Sequence, residues 1–122
     1  TGIKISITNL QNNKGNVLLS LFKDGVGFPD EPEKAFRKLK IPIINKAAVA
    51  VFTDLPSGKY AIAGLHDENG DQKMNTNFFG YPKEGYGFSN NVIGLLGPPS
   101  FSKASFSYTA NGTVVLSIRI RY

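Results

Sequence analysis

Polar and apolar residues alternate along most of this chain with a period of two. From Gly2 to Leu10, Ile3, Ile5 and Ile7 fall on one side and Lys4, Ser6 and Thr8 on the other, the signature of a strand with one buried face. Gln11-Asn12-Asn13-Lys14-Gly15 is turn chemistry. Asn16 to Lys23 follows, apolar on both sides (Val17, Leu19, Leu21; Leu18, Phe22), which predicts a central strand hairpinned to the first. Asp24-Gly25-Val26-Gly27 ends that run, and Pro29-Asp30-Glu31-Pro32 leads into Glu33 to Lys38. Acids there precede bases as a helix dipole favours, so at most a short helix near 32–38 is expected.

Leu39 to Asn45 and Ala47 to Leu55 read as two more strands, the first at a sheet edge because Pro42 has no N–H for a ladder. Tyr60 to His66 is a fifth, with Tyr60, Ile62, Gly64 and His66 on one face and Asp67 on the other. Ala104 to Ala110 sets Phe106 and Tyr108 against Ser105, Ser107 and Thr109, Asn111-Gly112 is a two-residue hairpin signal, and Gly112 to Tyr122 closes the chain on Val114, Leu116, Ile118 and Ile120. About seven strands, mostly short connections and few helical residues predict an all-β, two-sheet sandwich. Phe52-Thr53-Asp54-Leu55-Pro56-Ser57-Gly58-Lys59-Tyr60 resembles the turn of prealbumin-like and carboxypeptidase-regulatory-like sandwiches, which implies prealbumin-like or immunoglobulin-like topology.

One stretch breaks the alternation. His66 to Asn91 holds the only His and four of the nine acids, and it carries five aromatics and five asparagines, with no clear helix or strand period. A connection of this length is either functional or disordered, and its aromatics argue for order, so a long ordered loop over 66–103 is expected. Fixing each backbone residue costs about 1–2 kcal/mol, while a well-buried Phe returns about 1.5–3, so several rings must turn inward together. Phe78 and Phe79 are expected to point oppositely, and Tyr86 and Phe88 to share a face lying on the sandwich near Phe101. His66 and Asp67 would anchor one end of the loop, and Asn90 and Asn91 the other.

At 122 residues the chain fits a single domain, 1–122. It has no Cys, hence no disulfide frame, thiolate nucleophile or zinc cluster, and no apolar run of membrane-spanning length. Beginning at Thr1 without Met fits either removal of a signal peptide or merely a boundary at which the sequence was cut. Net charge is +5, with the lysines and arginines mostly scattered singly and the 66–91 stretch acidic against a basic remainder. A nucleic-acid footprint needs a basic stripe interleaved with aromatics; here the aromatics sit with the acids, so no nucleic-acid partner is expected.

His66-Asp67-Glu68-Asn69, Asn77-Phe78-Phe79-Gly80, the run Pro82 to Asn91 and Gly97-Pro98-Pro99-Ser100-Phe101 together resemble the signature of an uncharacterised bacterial family, the domain-of-unknown-function family twenty-one forty-one. The resemblance covers nearly the whole chain. It implies a small exported β-sandwich, periplasmic or secreted, and brings no activity, substrate or catalytic residues. The family's loop resembles D-x-N-x-N-G-K-x-D; here Asp67-Glu68-Asn69-Gly70-Asp71-Gln72-Lys73-Met74-Asn75 moves the glycine from the sixth place to the fourth and ends on Asn.

Three candidate chemistries lie in this stretch. Asp67, Asn69, Asp71 and Asn75 have the spacing of oxygen ligands in an EF-hand-like loop, but Gln72 stands where the sharp turn needs Gly and Phe78 where the bidentate Glu belongs. Any metal held there is expected to be calcium, weakly bound; the plainer reading is turn-forming side chains capping their own backbone. His66 with Asp67, Glu68 or Glu84 offers a hydrolytic site, yet no nucleophile motif accompanies it. A lone His at a strand end reads first as a hydrogen-bonded structural residue. Tyr81, Tyr86 and Phe88 offer stacking faces, or else pack as the loop's own small core. The expected function is a non-catalytic accessory or binding module, without cofactor, that meets an unknown protein, glycan or small ligand through His66, Glu68, Asp71, Tyr81, Glu84 and Tyr86. The alternative is a hydrolase centred on His66.

Overall fold

A computed structural model describes residues 1–68, 85–92 and 99–122 of the chain. Among these residues the alternating segments become eight strands: β1 (Gly2–Thr8), β2 (Asn16–Lys23), β3 (Arg37–Pro42), β4 (Ala48–Phe52), β5 (Gly58–Asp67), β6 (Tyr86–Phe88), β7 (Phe106–Tyr108) and β8 (Thr113–Arg119). β1 is the middle of a three-stranded sheet, antiparallel to β4 and parallel to β8. The second sheet runs β3-β2-β5, and the far side of β5 is shared by β6, opposite 63–65, and β7, opposite 58–60. The fold is the expected all-β sandwich.

The core follows from the alternation. Ile3, Ile5 and Ile7 share one buried cluster with Val17, Leu19, Leu21, Tyr60, Ile62, Ile118 and Ile120. Full burial of such side chains stabilises the fold by about 1.5–3 kcal/mol each before entropy is counted. Pro42 ends β3, the outer strand of its sheet, as its missing N–H requires. Near the chain's end the two sheets are stitched together: Ile120 N–H continues the β8–β1 ladder to Thr8 O at 3.0 Å, and the next residue, Arg121, exchanges backbone hydrogen bonds of 3.0 and 2.8 Å with Tyr86 of the other sheet. A second, all-aromatic cluster lies on the outer face of the five-stranded sheet. Phe28 packs edge-on against Phe22, Phe88 and Phe101 at 5.5–5.9 Å, and Tyr86 meets Phe88 at 5.8 Å. Tyr86, Phe88 and Phe101 therefore gather on the sandwich as the sequence predicts.

Three local expectations are corrected, and the upper limit set for the helix is narrowed. β1 and β2 are not a hairpin, because they belong to opposite sheets and the 11–15 turn carries the chain across the core. Asn111-Gly112 does form a tight turn, with Asn111 at φ +66 and Gly112 N–H on Thr109 O at 2.8 Å, but β7 and β8 also lie in different sheets. The helix near 32–38 is a single 3-10 turn, Pro32–Lys34; Ala35 is already extended and Phe36 N–H bonds Leu21 O, so Arg37 and Lys38 enter β3. Asn45 and Lys46, both at positive φ, make a two-residue turn closed by paired bonds between Ile44 and Ala47, so strand structure stops at Pro42 and resumes at Ala48. The 66–103 stretch contributes β6, a 3-10 turn at Ser89–Asn91 and the start of a short helix, α1 (Phe101–Ala104). Residues 69–84 and 93–98, with the predicted opposition of Phe78 and Phe79, lie outside the described residues.

Candidate functional site

The last inward position of β5 is His66, and the sheet register buries it completely. Its Nε2 lies 2.8 Å from the Lys14 carbonyl oxygen, which only accepts, so Nε2 carries a hydrogen and donates. Nδ1 lies 2.7 Å from the Tyr122 hydroxyl, and that hydroxyl accepts from Gln11 N–H at 3.1 Å. One imidazole thus ties the β1–β2 turn and the end of the chain to β5. Its backbone N–H donates to Gly85 O at 2.8 Å, which joins the two flanks of 69–84 directly.

Two glycines make this closeness possible. Gly15 sits at φ +65 with any Cβ buried in the Asp67 carbonyl, and a Cβ on Gly85 would overlap the Tyr122 ring and the Ile120 side chain. Asp67, next along, turns to the opposite face and is also buried, at 1% exposure. Glu68 accepts from Asn12 Nδ2 at 2.7 Å and Gln11 Nε2 at 3.1 Å. The Asn12 bond holds its carboxyl below the usual range, against a smaller opposing effect of burial, while burial raises the Tyr122 hydroxyl.

The return side is fastened as tightly. Ser89 is buried, accepts from Ile62 N–H at 2.9 Å and donates to Ala104 O. Asn90, at φ +61, donates to Lys103 O and Ser105 O, which pins α1. Asn91, at φ +51, accepts from Arg119 N–H at 2.9 Å and donates to Ser117 O at 3.3 Å, so its amide takes the place of a neighbouring strand along the edge of β8.

Of the residues singled out from sequence, His66, Asp67, Glu68 and Tyr86 are brought to one end of the sandwich, with Leu65 opposite Tyr86 in the ladder. Asp71, Tyr81 and Glu84, and the calcium candidates Asn69 and Asn75, lie outside the described residues. Among the described residues no group of three His, Cys, Asp or Glu stands together to hold a metal. His66 is an internal brace: both its nitrogens are engaged and no ring edge reaches the surface. Glu68 and half-buried Tyr86 are the members able to meet a ligand. Sequence reasoning missed Gln11, Asn12, Gly85, Ser89 and Tyr122, which build this frame. Asn12 and Gln11 read as ordinary turn residues, and Tyr122 carries no local signal of a partner 56 positions away.

The sequence profile of a family described as an uncharacterized protein conserved in bacteria (DUF2141) matches residues 5–115. No curated protein matches the chain, and no solved structure does.

Proposed function

We propose that this chain, which belongs to the bacterial DUF2141 family, is a non-catalytic binding module of the cell envelope or the extracellular space. The observation that carries the reading is the bracing of both flanks of 69–84. His66 joins Lys14, Tyr122 and Gly85, and Ser89, Asn90 and Asn91 join β5, α1 and β8. A binding segment carried on a rigid scaffold keeps its contact residues in register at little entropic cost on binding. General base catalysis needs a nitrogen within reach of a substrate proton, and both of those on His66 are used internally. Glu68 and Tyr86, with the sequence candidates Asp71, Tyr81 and Glu84, form the recognition set. Support for an exported location is the family resemblance.

Nuclear magnetic resonance titration of the 15N-labelled chain with envelope glycans, peptides and small amphiphiles tests the reading. A ligand is expected to shift the amides of Glu68 and Tyr86 and to lose at least about ten-fold in affinity when Asp71, Tyr81 and Glu84 are all replaced by Ala. Turnover of an esterase, glycosidase or phosphatase substrate that His66→Ala abolishes would overturn it and establish the hydrolase instead.

A further inference from the structure

We propose that the outward face of the five-stranded sheet binds a small anionic amphiphile, with its carboxylate or phosphate head on Lys38 and Lys40 and its apolar body across Leu18, Leu65 and Tyr86. This goes beyond the binding-module reading, on a surface that shares only Tyr86 with the recognition set above.

The ladder registers define the surface. Lys40 faces Leu18, Leu18 faces Leu65, and Leu65 faces Tyr86, one row across four strands. At roughly 4.8 Å per strand the row is about 14 Å long. Beside it Lys38, Ser20, Ala63 and Phe88 form a second row. All these side chains point away from the core, since their chain neighbours Val17, Leu19, Leu39, Ile41 and Ile62 belong to it.

The outer face of a sheet is ordinarily polar; the three-stranded sheet sets Lys4, Ser6 and Thr8 on its central strand between exposed Val49, Val51 and Val115 on its outer ones. The central strands of the other sheet instead turn out Leu18, Phe22, Ala61, Ala63 and Leu65. Phe22 and Ala61 are fully buried beside the Phe28 cluster. Leu18, Ala63, Leu65 and Tyr86 stay half-exposed, an apolar ledge against an aromatic wall. Its polar border is cationic. Lys38 and Lys40 are exposed, two positions apart on one face, and make no ion pair with a described residue. Two side chains at that spacing on one strand face can both reach a single anion. The eight described strands contain one acid, Asp67, which shares the outward face two residues past Leu65; it is 1% exposed and stands in the Pro42–Asn16 row, two ladder rows beyond Ser20 and Lys38.

The competing explanation is that the lysines only guard a sheet edge against pairing. Titration of the 15N-labelled full chain with sodium decanoate and with decyl phosphate, both below micelle formation, separates the two, with acetate and 1-decanol as tail-only and head-only deletions of the probe. Saturable shifts are expected at Leu18, Lys40, Leu65 and Tyr86. Lys38→Gln with Lys40→Gln, or Leu18→Ser alone, is expected to weaken binding about ten-fold or more while the spectrum stays that of the folded chain. Preference for decyl phosphate over decanoate would assign a phosphate head, and the reverse a carboxylate; either supports the site. Equal response to acetate, shifts confined to Val49, Val51 and Val115, or undiminished binding by the double lysine variant would overturn it. Binding that survives replacement of Asp71, Tyr81 and Glu84 by Ala but not loss of the lysines would keep this site and remove 69–84 from recognition. The opposite pattern would keep 69–84 and discard this site.

Discussion

At the scale of single residues, the frame depends on polar groups that bond one another across distant parts of the chain. Tyr122 is the clearest: its hydroxyl joins His66 and Gln11, and Tyr122→Phe is expected to cost about 1–2 kcal/mol in urea unfolding, because it leaves a buried imidazole nitrogen without its partner. Burial raises the Tyr122 hydroxyl above its ordinary 10.0, so folding favours the protonated form. That stability is fully present below pH 10 and lost as pH rises through the raised value. Tyr60, raised by its own burial, acts in the same window, so the difference between wild type and Tyr122→Phe above pH 10 isolates the share of Tyr122. Glu68 behaves oppositely. Its carboxyl lies below the ordinary 4.5 through the Asn12 bond, so its contribution is present above pH 4.5 and lost as pH falls through the lowered value. Glu68→Gln is expected to flatten that acid limb in thermal melts taken from pH 5 downward. His66 was readable as a structural residue from its isolation at a strand end. Its partners were not, since a backbone carbonyl leaves no mark in a sequence and Tyr122 is distant in the chain.

At the scale of elements, period-two alternation located the long strands and their buried faces but not their neighbours. Ile3, Ile5 and Ile7 bury equally well whether β1 pairs with β2 or lies across the core from it. The turn at 11–15 and the Asn111-Gly112 turn are chemically able to close hairpins, yet each hands the chain to the other sheet. β6 escaped notice because three residues are too short to show a period, and its middle one, Gly87, has a Cβ position filled by the Arg119 carbonyl and the Ile118 side chain. Pro42 was legible because its constraint is local and absolute. Two substitutions test the element-level account. Asn91→Ala removes the amide that caps Ser117 and Arg119 and is expected to cost about 1 kcal/mol, with faster amide exchange at Arg119. Gly85→Ala pushes a methyl into Tyr122 and the buried Ile120 and is expected to cost about 1–3 kcal/mol and to release the Tyr122 hydroxyl from His66. Near-ultraviolet circular dichroism would report the freed Tyr122 ring; an unchanged tyrosine signal and unchanged stability would contradict that packing.

At the scale of the whole molecule, charge and topology separate along the chain. The described strands carry lysines and arginines with the single buried acid Asp67, while the other described acids sit in connections. The sandwich is therefore a cationic scaffold, and its two sheets are joined near the chain end by Tyr86 and Arg121, beside the flanks of 69–84. That end could be located from sequence because the broken alternation and clustered aromatics mark it. Its rigidity could not, because the bracing comes from Gln11 to Gly15, Ser89 to Asn91 and Tyr122, which meet only once both sheets have formed. Native-state hydrogen exchange tests this central claim most directly. The amides of Ile62, His66, Tyr86, Arg119 and Arg121, bonded to Ser89, Gly85, Arg121, Asn91 and Tyr86 in turn, are expected to be protected to nearly the level of Ile5 in the core. Exchange of these five amides at the rate of an unfolded peptide, while Ile5 stays protected, would contradict the account.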